Sequence, residues 1–264
     1  MSGRTQGATS GETAGQTDGE MSSAEMSSGM SSGMSDETYD RTGGEAGGDT
    51  ASALRVVGAV AILRLTDHRL IVEVGRALHD AGLTAMEITF DHPAAPDALS
   101  ELRSALPATA LLGAGTIRTP EQVELAASCG ARYCVSPHTD PALIRSVLAA
   151  GLEPLPGAGT ATEVATAQDS GARLIKLFPA GAMGLSYLRA LLGPFRGTSI
   201  VPTGGIRHEE VGEWLAAGAA AVGLGSDLVP AAPAAADLPG IAARAARVAA
   251  QIKAVRAPGG GTAP

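Results

Sequence analysis

The chain has 264 residues, a formal net charge of −8 and a hydrophobic content of 45%. Residues 1–50 carry Arg4 and Arg41 against nine acids, so seven of the eight net negative charges lie there and the rest is close to neutral. A near-neutral body lacks the basic face that nucleic acid requires, and no apolar stretch runs the length of a membrane span without interruption by charge, Gly or Pro.

The first 50 residues are Gly, Ser, Thr, Glu and Met with almost no branched aliphatics, and include a near-repeat from Met21 to Ser35. Such a segment cannot bury enough apolar surface to offset its ordering entropy, so it reads as a disordered acidic tail. It is either dispensable or a contact for a partner. It lacks the basic start and apolar run of a secretory signal. The folded body is expected over 51–257, one large α/β domain, with a flexible C-terminus at 258–264. Cys129 and Cys134 have no His or Cys partner at metal-ligand spacing, which suits two free thiols in a reducing cytoplasm.

From residue 54 onward, short β-branched runs alternate with Ala-rich amphipathic stretches. Strand runs fall at 56–63, 85–90, 110–115, 132–137, 152–157, 173–179, 198–205 and 220–226. Helical patterns lie between and after them at 68–80, 95–105, 119–129, 140–150, 160–170, 184–192, 207–217 and 234–255. Thr119-Pro120 and Asp140-Pro141 supply a capping oxygen before a proline at the first helical position. Gly82, Gly130, Gly151, Gly171 and Gly218 stand where helices end. Strands that are apolar throughout are buried on both faces, as in a parallel sheet under helices. Eight strand–helix units in about 210 residues point to a (β/α)8 barrel at the compact end of its range. A doubly wound open sheet is the competitor, but the first strand leads into Ile62-Leu63-Arg64-Leu65 and not a G-x-G-x-x-G turn.

In such a barrel the chemistry sits where strands end. Those ends carry Arg64, Glu87-Ile88-Thr89, Gly113-Ala114-Gly115-Thr116, Ser136-Pro137-His138, Pro156-Gly157, Lys176-Leu177-Phe178-Pro179, Thr203-Gly204-Gly205 and Gly225-Ser226. Of 19 basic side chains, 17 are arginine, yet a lysine stands inside the apolar run Leu174-Ile175-Lys176-Leu177-Phe178. Burial favours the neutral amine, a nucleophile towards ketones that arginine cannot replace. The plainer reading is a lysine that snorkels or pairs with a carboxylate. Glu87 takes the opposite face from Met86 and Ile88, inward in a barrel, where it can shuttle protons or simply pair with Lys176 or Arg64. Gly204 and Gly205 before a helix start, with Gly225 and Ser226 on the last strand, resemble a phosphate cradle. Arg64 can hold a carboxylate or phosphate or form a salt bridge at the rim. His138 reads as structural, and Trp214 and Phe195 as packing.

At these residues the chain resembles the 2-keto-3-deoxy-6-phosphogluconate / 4-hydroxy-2-oxoglutarate aldolase family, from about Val56 to Val229. The motifs are GLTAMEITF, GAGTIRTPEQ, VSPH, LPGAGTATE, LIKLFPAGAMG, VPTGGI and VGLGSDLV. The resemblance implies a homotrimer of (β/α)8 barrels that needs no metal or other cofactor and acts on a phosphorylated keto acid. It makes Lys176 the Schiff-base lysine, Glu87 the general acid/base, and Thr116 and Phe178 substrate contacts, with Pro137 of VSPH among the binding candidates. Gly204, Gly205, Gly225 and Ser226 would hold phosphate. Some members carry an arginine four residues beyond the glutamate; here that position is Asp91, and Arg64 is the candidate replacement. The motifs divide between gluconate- and galactonate-derived substrates, with the gluconate epimer preferred and 4-hydroxy-2-oxoglutarate as a further alternative. Two other readings remain open: an isomerase or epimerase without a Schiff base, and a metabolite sensor that uses its acidic tail.

Overall fold

A computed structural model describes residues 49–257. The tail expected over 1–50 lies outside the described residues except for Asp49 and Thr50, as does the stretch expected over 258–264.

The chain opens with helix α1 (Thr50–Val57), which the sequence reading did not anticipate. Val56 and Val57, read as the start of the first strand, end this helix; Gly58 at φ 80° stops it, and β1 runs Ala59–Leu63. Apolar residues alone do not separate a buried helical turn from a strand. Then follow α2 (Ile71–Asp80), β2 (Ala85–Thr89), α3 (Ala95–Ala105), β3 (Leu111–Gly115), α4 (Pro120–Ser128), β4 (Tyr133–Val135) and α5 (Pro141–Ala149). The chain continues through β5 (Glu153–Leu155), β6 (Gly157–Ala158), α6 (Ala161–Asp169), β7 (Leu174–Leu177), α7 (Ala180–Leu192) and β8 (Ser199–Pro202). It ends with α8 (Val211–Ala216), β9 (Val222–Leu224) and α9 (Leu238–Arg256).

Local chemistry accounts for most boundaries. The Thr119 hydroxyl accepts from Gln122 N–H at 3.4 Å and the Asp140 carboxylate from Ala142 N–H at 2.8 Å, each before a proline that needs no N–H partner. Helix α7 starts four residues earlier than the pattern suggested, because Gly184 (φ 78°, ψ 169°) breaks it internally and hides the first turn. The expected strand at 152–157 is split at Pro156, which has no N–H to give a ladder.

Every strand pairing among the described residues is parallel. One sheet has the order β5-β4-β3-β2-β1-β9 and the other β6-β7-β8. β5 and β6 are consecutive, so one pairs back to β4 and the other forward to β7. Between β8 and β9 a parallel bridge joins Thr203 to Gly223, and Ala220 N–H donates to Ile200 O at 2.8 Å. Met86, Ile88, Leu112, Ala114, Ile175 and Leu177 pack under the helices. The opposite strand faces form a second cluster: Val60, Ala85, Leu111, Tyr133, Val135, Leu155, Leu174, Val201 and Ala221 pack together and against Ala51 and Leu54 of α1. Helix α1 therefore covers the strands' N-terminal end, leaving the C-terminal end open. None of the described helices is long and apolar enough to cross a membrane.

Candidate active site

The open end holds a cavity of about 500 Å³ lined by residues that include Arg64, Lys176, Phe178, Gly204, Gly205, Gly225 and Ser226. Seven of the ten residues singled out from the sequence thus share one wall. Lys176 is 7% exposed, and its Nζ lies 5.1 Å from the centre of the Phe178 ring. Burial pushes the ammonium below its ordinary range; the charge of Glu87 opposes this and that of Arg64 adds to it.

Glu87 sits in register between Ile62 of β1 and Gly113 of β3, and is 3% exposed. Burial pushes its carboxyl up, opposed by Lys176 and Arg64. Both groups are thus shifted towards their neutral forms, an amine and a carboxylic acid facing one interior. That pairing suits attack on a carbonyl with a proton donor beside it. The carboxylate rests over Gly115: a Cβ added there would lie 2.5 Å from Glu87 Oε1, so only glycine leaves it room.

Arg64 forms the salt bridge at the rim. Its Nε lies 3.4 Å from Asp91 Oδ2 at the rim, and its Nη2 donates to Thr116 Oγ1 at 3.2 Å. The side chain is 64% exposed, so the ion pair leaves the fork free to meet an anion. Thr116 reaches the site through this contact, held at φ 59°, a left-handed conformation that threonine seldom adopts. Pro137 is exposed and does not line the cavity; its carbonyl packs against Gly157.

The glycine loops form the cavity's far end. Gly204 and Gly205 take φ 88° and 75°, and the Phe178 ring lies so close that a Cβ at Gly204 would be 2.7 Å from it. Ser226 and Asp227 face them from the loop after β9. A tie between the two loops is absent from the sequence reading: His208 N–H donates to Asp227 Oδ2 at 2.6 Å, and His208 Nδ1 lies 2.6 Å from the same oxygen. Gln251 of α9 donates to His208 O at 2.8 Å and fixes the tie to the helix. His208, Glu209 and Asp227 bring ligand-type atoms within 4.8 Å of one another. The shared Asp227 oxygen is already engaged twice, which makes the group a loop clamp. Arg207 also lines the cavity, with its Nε 3.4 Å from Glu209 Oε2. An acid directly after Gly225-Ser226 was the one signal for this clamp in the sequence; the burial of His208 was not visible there. Cys129 and Cys134 are free, and burial pushes the Cys134 thiol up to about 12, which keeps it inert.

A family model described as KDPG and KHG aldolase matches residues 50–244. The 2-dehydro-3-deoxy-6-phosphogalactonate aldolase of Escherichia coli is 37% identical over 171 residues, 64% of this chain and 83% of its own length. The 2-dehydro-3-deoxy-phosphogluconate aldolase of Treponema pallidum is 36% identical over 179 residues, 67% of this chain and 83% of its own. A crystal structure of KDPG aldolase from Legionella pneumophila, with pyruvate captured at low pH as a covalent carbinolamine intermediate, superposes with a TM-score of 0.66. It is 26% identical, with 78% of this chain and 98% of that one covered.

Proposed function

The chain belongs to the KDPG and KHG aldolase family and is a carbon–carbon lyase; we propose that it is a class I aldolase that cleaves 2-keto-3-deoxy-6-phosphogluconate to pyruvate and glyceraldehyde 3-phosphate. The observation that carries this reading is a buried lysine, shifted towards the neutral amine, facing a buried glutamate beside a cavity whose far end is glycine loops.

Neutral Lys176 attacks the C2 ketone, and Glu87 as the acid supplies the proton with which hydroxide leaves as water. The cationic imine that results is an electron sink. The Glu87 carboxylate takes the C4 hydroxyl proton, the C3–C4 bond breaks, and its electrons pass into the imine to give an enamine. The enamine is protonated at C3, and hydrolysis returns the amine and pyruvate. Arg64 with Thr116 holds the substrate carboxylate, Phe178 covers the pyruvate end, and Gly204, Gly205, Gly225 and Ser226 hold the phosphate through backbone N–H groups and one hydroxyl.

The same reading takes the two sheets as one (β/α)8 barrel, supported by the β5–β6 continuity at one seam and the Thr203–Gly223 bridge at the other. It includes a homotrimer, and a cytoplasmic setting that suits two free thiols. The galactonate-derived epimer is the second reading: the Escherichia coli relative is named for it, and Arg64 stands in for the arginine missing at Asp91.

Coupling pyruvate release to lactate dehydrogenase tests the reaction and the epimer together. The higher kcat/KM is expected with the gluconate epimer, and the reverse order would transfer the assignment. Lys176→Arg keeps a long basic side chain and removes the nucleophile, so turnover should vanish; substantial residual turnover contradicts the covalent route.

A further inference from the structure

One buried group is unused by this mechanism. Tyr133 on β4 has no exposed surface, and its hydroxyl makes no hydrogen bond within the described residues. A buried hydroxyl without a partner is costly, and native interiors avoid leaving one. Its place in the fold is specific. Glu87 of β2 pairs in register with Gly113 of β3, and Gly113 pairs in turn with Tyr133 of β4. Glutamate and tyrosine therefore stand in one row across three strands, with a glycine between them and no side chain to separate them.

The two glycines on this face of β3 record where the side chains go. A Cβ at Gly113 would lie 2.4 Å from Tyr133 Cε2 and Cζ, so the hydroxyl end of the ring covers this position. A Cβ at Gly115, the next residue on the same face, would lie 2.5 Å from Glu87 Oε1. The phenol and the carboxylate thus occupy neighbouring steps of one strand. The other titratable groups that act on Glu87 are Lys176 of β7 and Arg64 beyond β1; Cys134 of β4 points to the helix side of its strand. Lys176 serves as nucleophile and Arg64 holds the substrate carboxylate, so neither is left to orient Glu87.

We propose that Tyr133 is a positioning residue for Glu87, its hydroxyl donating to the carboxylate across Gly113 through one bridging water. It acts through Glu87 and does not touch substrate. The contact selects the carboxylate orientation over Gly115 and favours the ionised form, the one that takes the C4 hydroxyl proton. The inference rests on the assignment of Glu87 as acid/base in the reaction proposed above.

Tyr133→Phe removes one oxygen and keeps the ring over Gly113, so the fold should survive and melt no lower than the parent. The readout is the pH profile of kcat for the retro-aldol reaction, beside the profile of pyruvate methyl-proton exchange into deuterated water. Loss of a donor to a carboxylate raises its pKa, so the acid limb of both profiles should move up by about half to one pH unit, the size of one net hydrogen bond. Borohydride should still trap pyruvate on Lys176 in the variant, since the nucleophile is untouched. Superimposable profiles in a folded Tyr133→Phe protein overturn the proposal. Should the parent protein trap no pyruvate, the reaction is wrong but the contact remains measurable. NMR titration of 13C-labelled glutamate carboxyls then decides: an upward shift of Glu87 in the variant upholds the contact, and identical titration overturns it.

Discussion

Gly115→Ala separates the position of Glu87 from its presence. The added methyl would stand 2.5 Å from Glu87 Oε1, 2.9 Å from Cδ and 3.3 Å from Thr89 Cγ2. An ordinary contact at this pair of atoms needs about 1 Å more. Gly115 is not among the positive-φ residues, so alanine brings no backbone strain, and the obstacle is the end of a side chain that can turn. The carboxylate therefore swings away, at a cost to the fold of about 1 kcal/mol, the low end of overpacking. That corresponds to a fall of about 2–4 °C in Tm. Catalysis should suffer far more, because a catalytic group displaced by about 1 Å loses on the order of 100-fold in rate. The assay is kcat from lactate dehydrogenase-coupled pyruvate release, beside a thermal melt of the same preparation. A folded Gly115→Ala protein with kcat within about threefold of the parent would refute the assignment of Glu87 as the proton-transferring group.

Three further tests address charge and loop geometry. Lys176 and Lys253 are the only lysines, so amine modification read by peptide mass is unambiguous. Burial holds Lys176 below 10.5 against the pull of Glu87, so its reactivity should reach half-maximum at lower pH than an exposed lysine, and at lower pH still in Glu87→Gln; an unchanged or raised midpoint in that variant contradicts the facing of the two groups. Asp227→Ala releases the clamp between the glycine loops, so KM for the phosphorylated substrate should rise about tenfold while pyruvate proton exchange stays within about twofold; a loss of exchange of equal size would mean that the clamp supports the whole site. At the N-terminal end of the strands, Arg173→Met leaves Glu153, 4% exposed, without its ion-pair partner, a loss of about 2 kcal/mol once the half-exposed guanidinium is discounted for solvent. Burial already raises the Glu153 carboxyl above 4.5 and Arg173 opposes that; without it the folded pKa climbs further above the unfolded one. The loss should therefore be full at about pH 7 and shrink by about pH 5 in denaturant titrations, and equal loss at both contradicts the burial of an unpaired charge.

The order of elements was legible because the two periods differ and the punctuation is chemical. Thr119-Pro120, Asp140-Pro141 and the glycines after helices mark ends that hold in the fold, as at Gly171 (φ 97°) and Gly218 (φ 105°). Lys176 stood out by composition, as one of two lysines in an arginine-rich chain. Helix α1 was lost because Leu54 and Val57 blend into the apolar run of β1, and which of the two buries against what is a tertiary fact. The interruption at Pro156 could have been read from the proline itself. The inward face of β2 was legible from Glu87 between Met86 and Ile88, but that of β3 could not be fixed by pattern, since both its faces are buried and Gly113 and Gly115 carry no side chain. The roles of those glycines appear only when Tyr133 and Glu87 arrive from neighbouring strands. The His208–Asp227 clamp joins residues 19 apart in sequence, and the acid after Gly225-Ser226 does not say which residue it meets.

Covalent catalysis here means a bond between Lys176 and the keto-acid substrate. Borohydride reduction in the presence of pyruvate, followed by peptide mass mapping, tests it most directly. One stable adduct is expected, on the peptide that contains Lys176, and none on Lys253. A folded protein that gains no adduct, or gains it at Lys253 alone, contradicts the covalent mechanism and returns the cavity to a phosphate-binding site without Schiff-base chemistry.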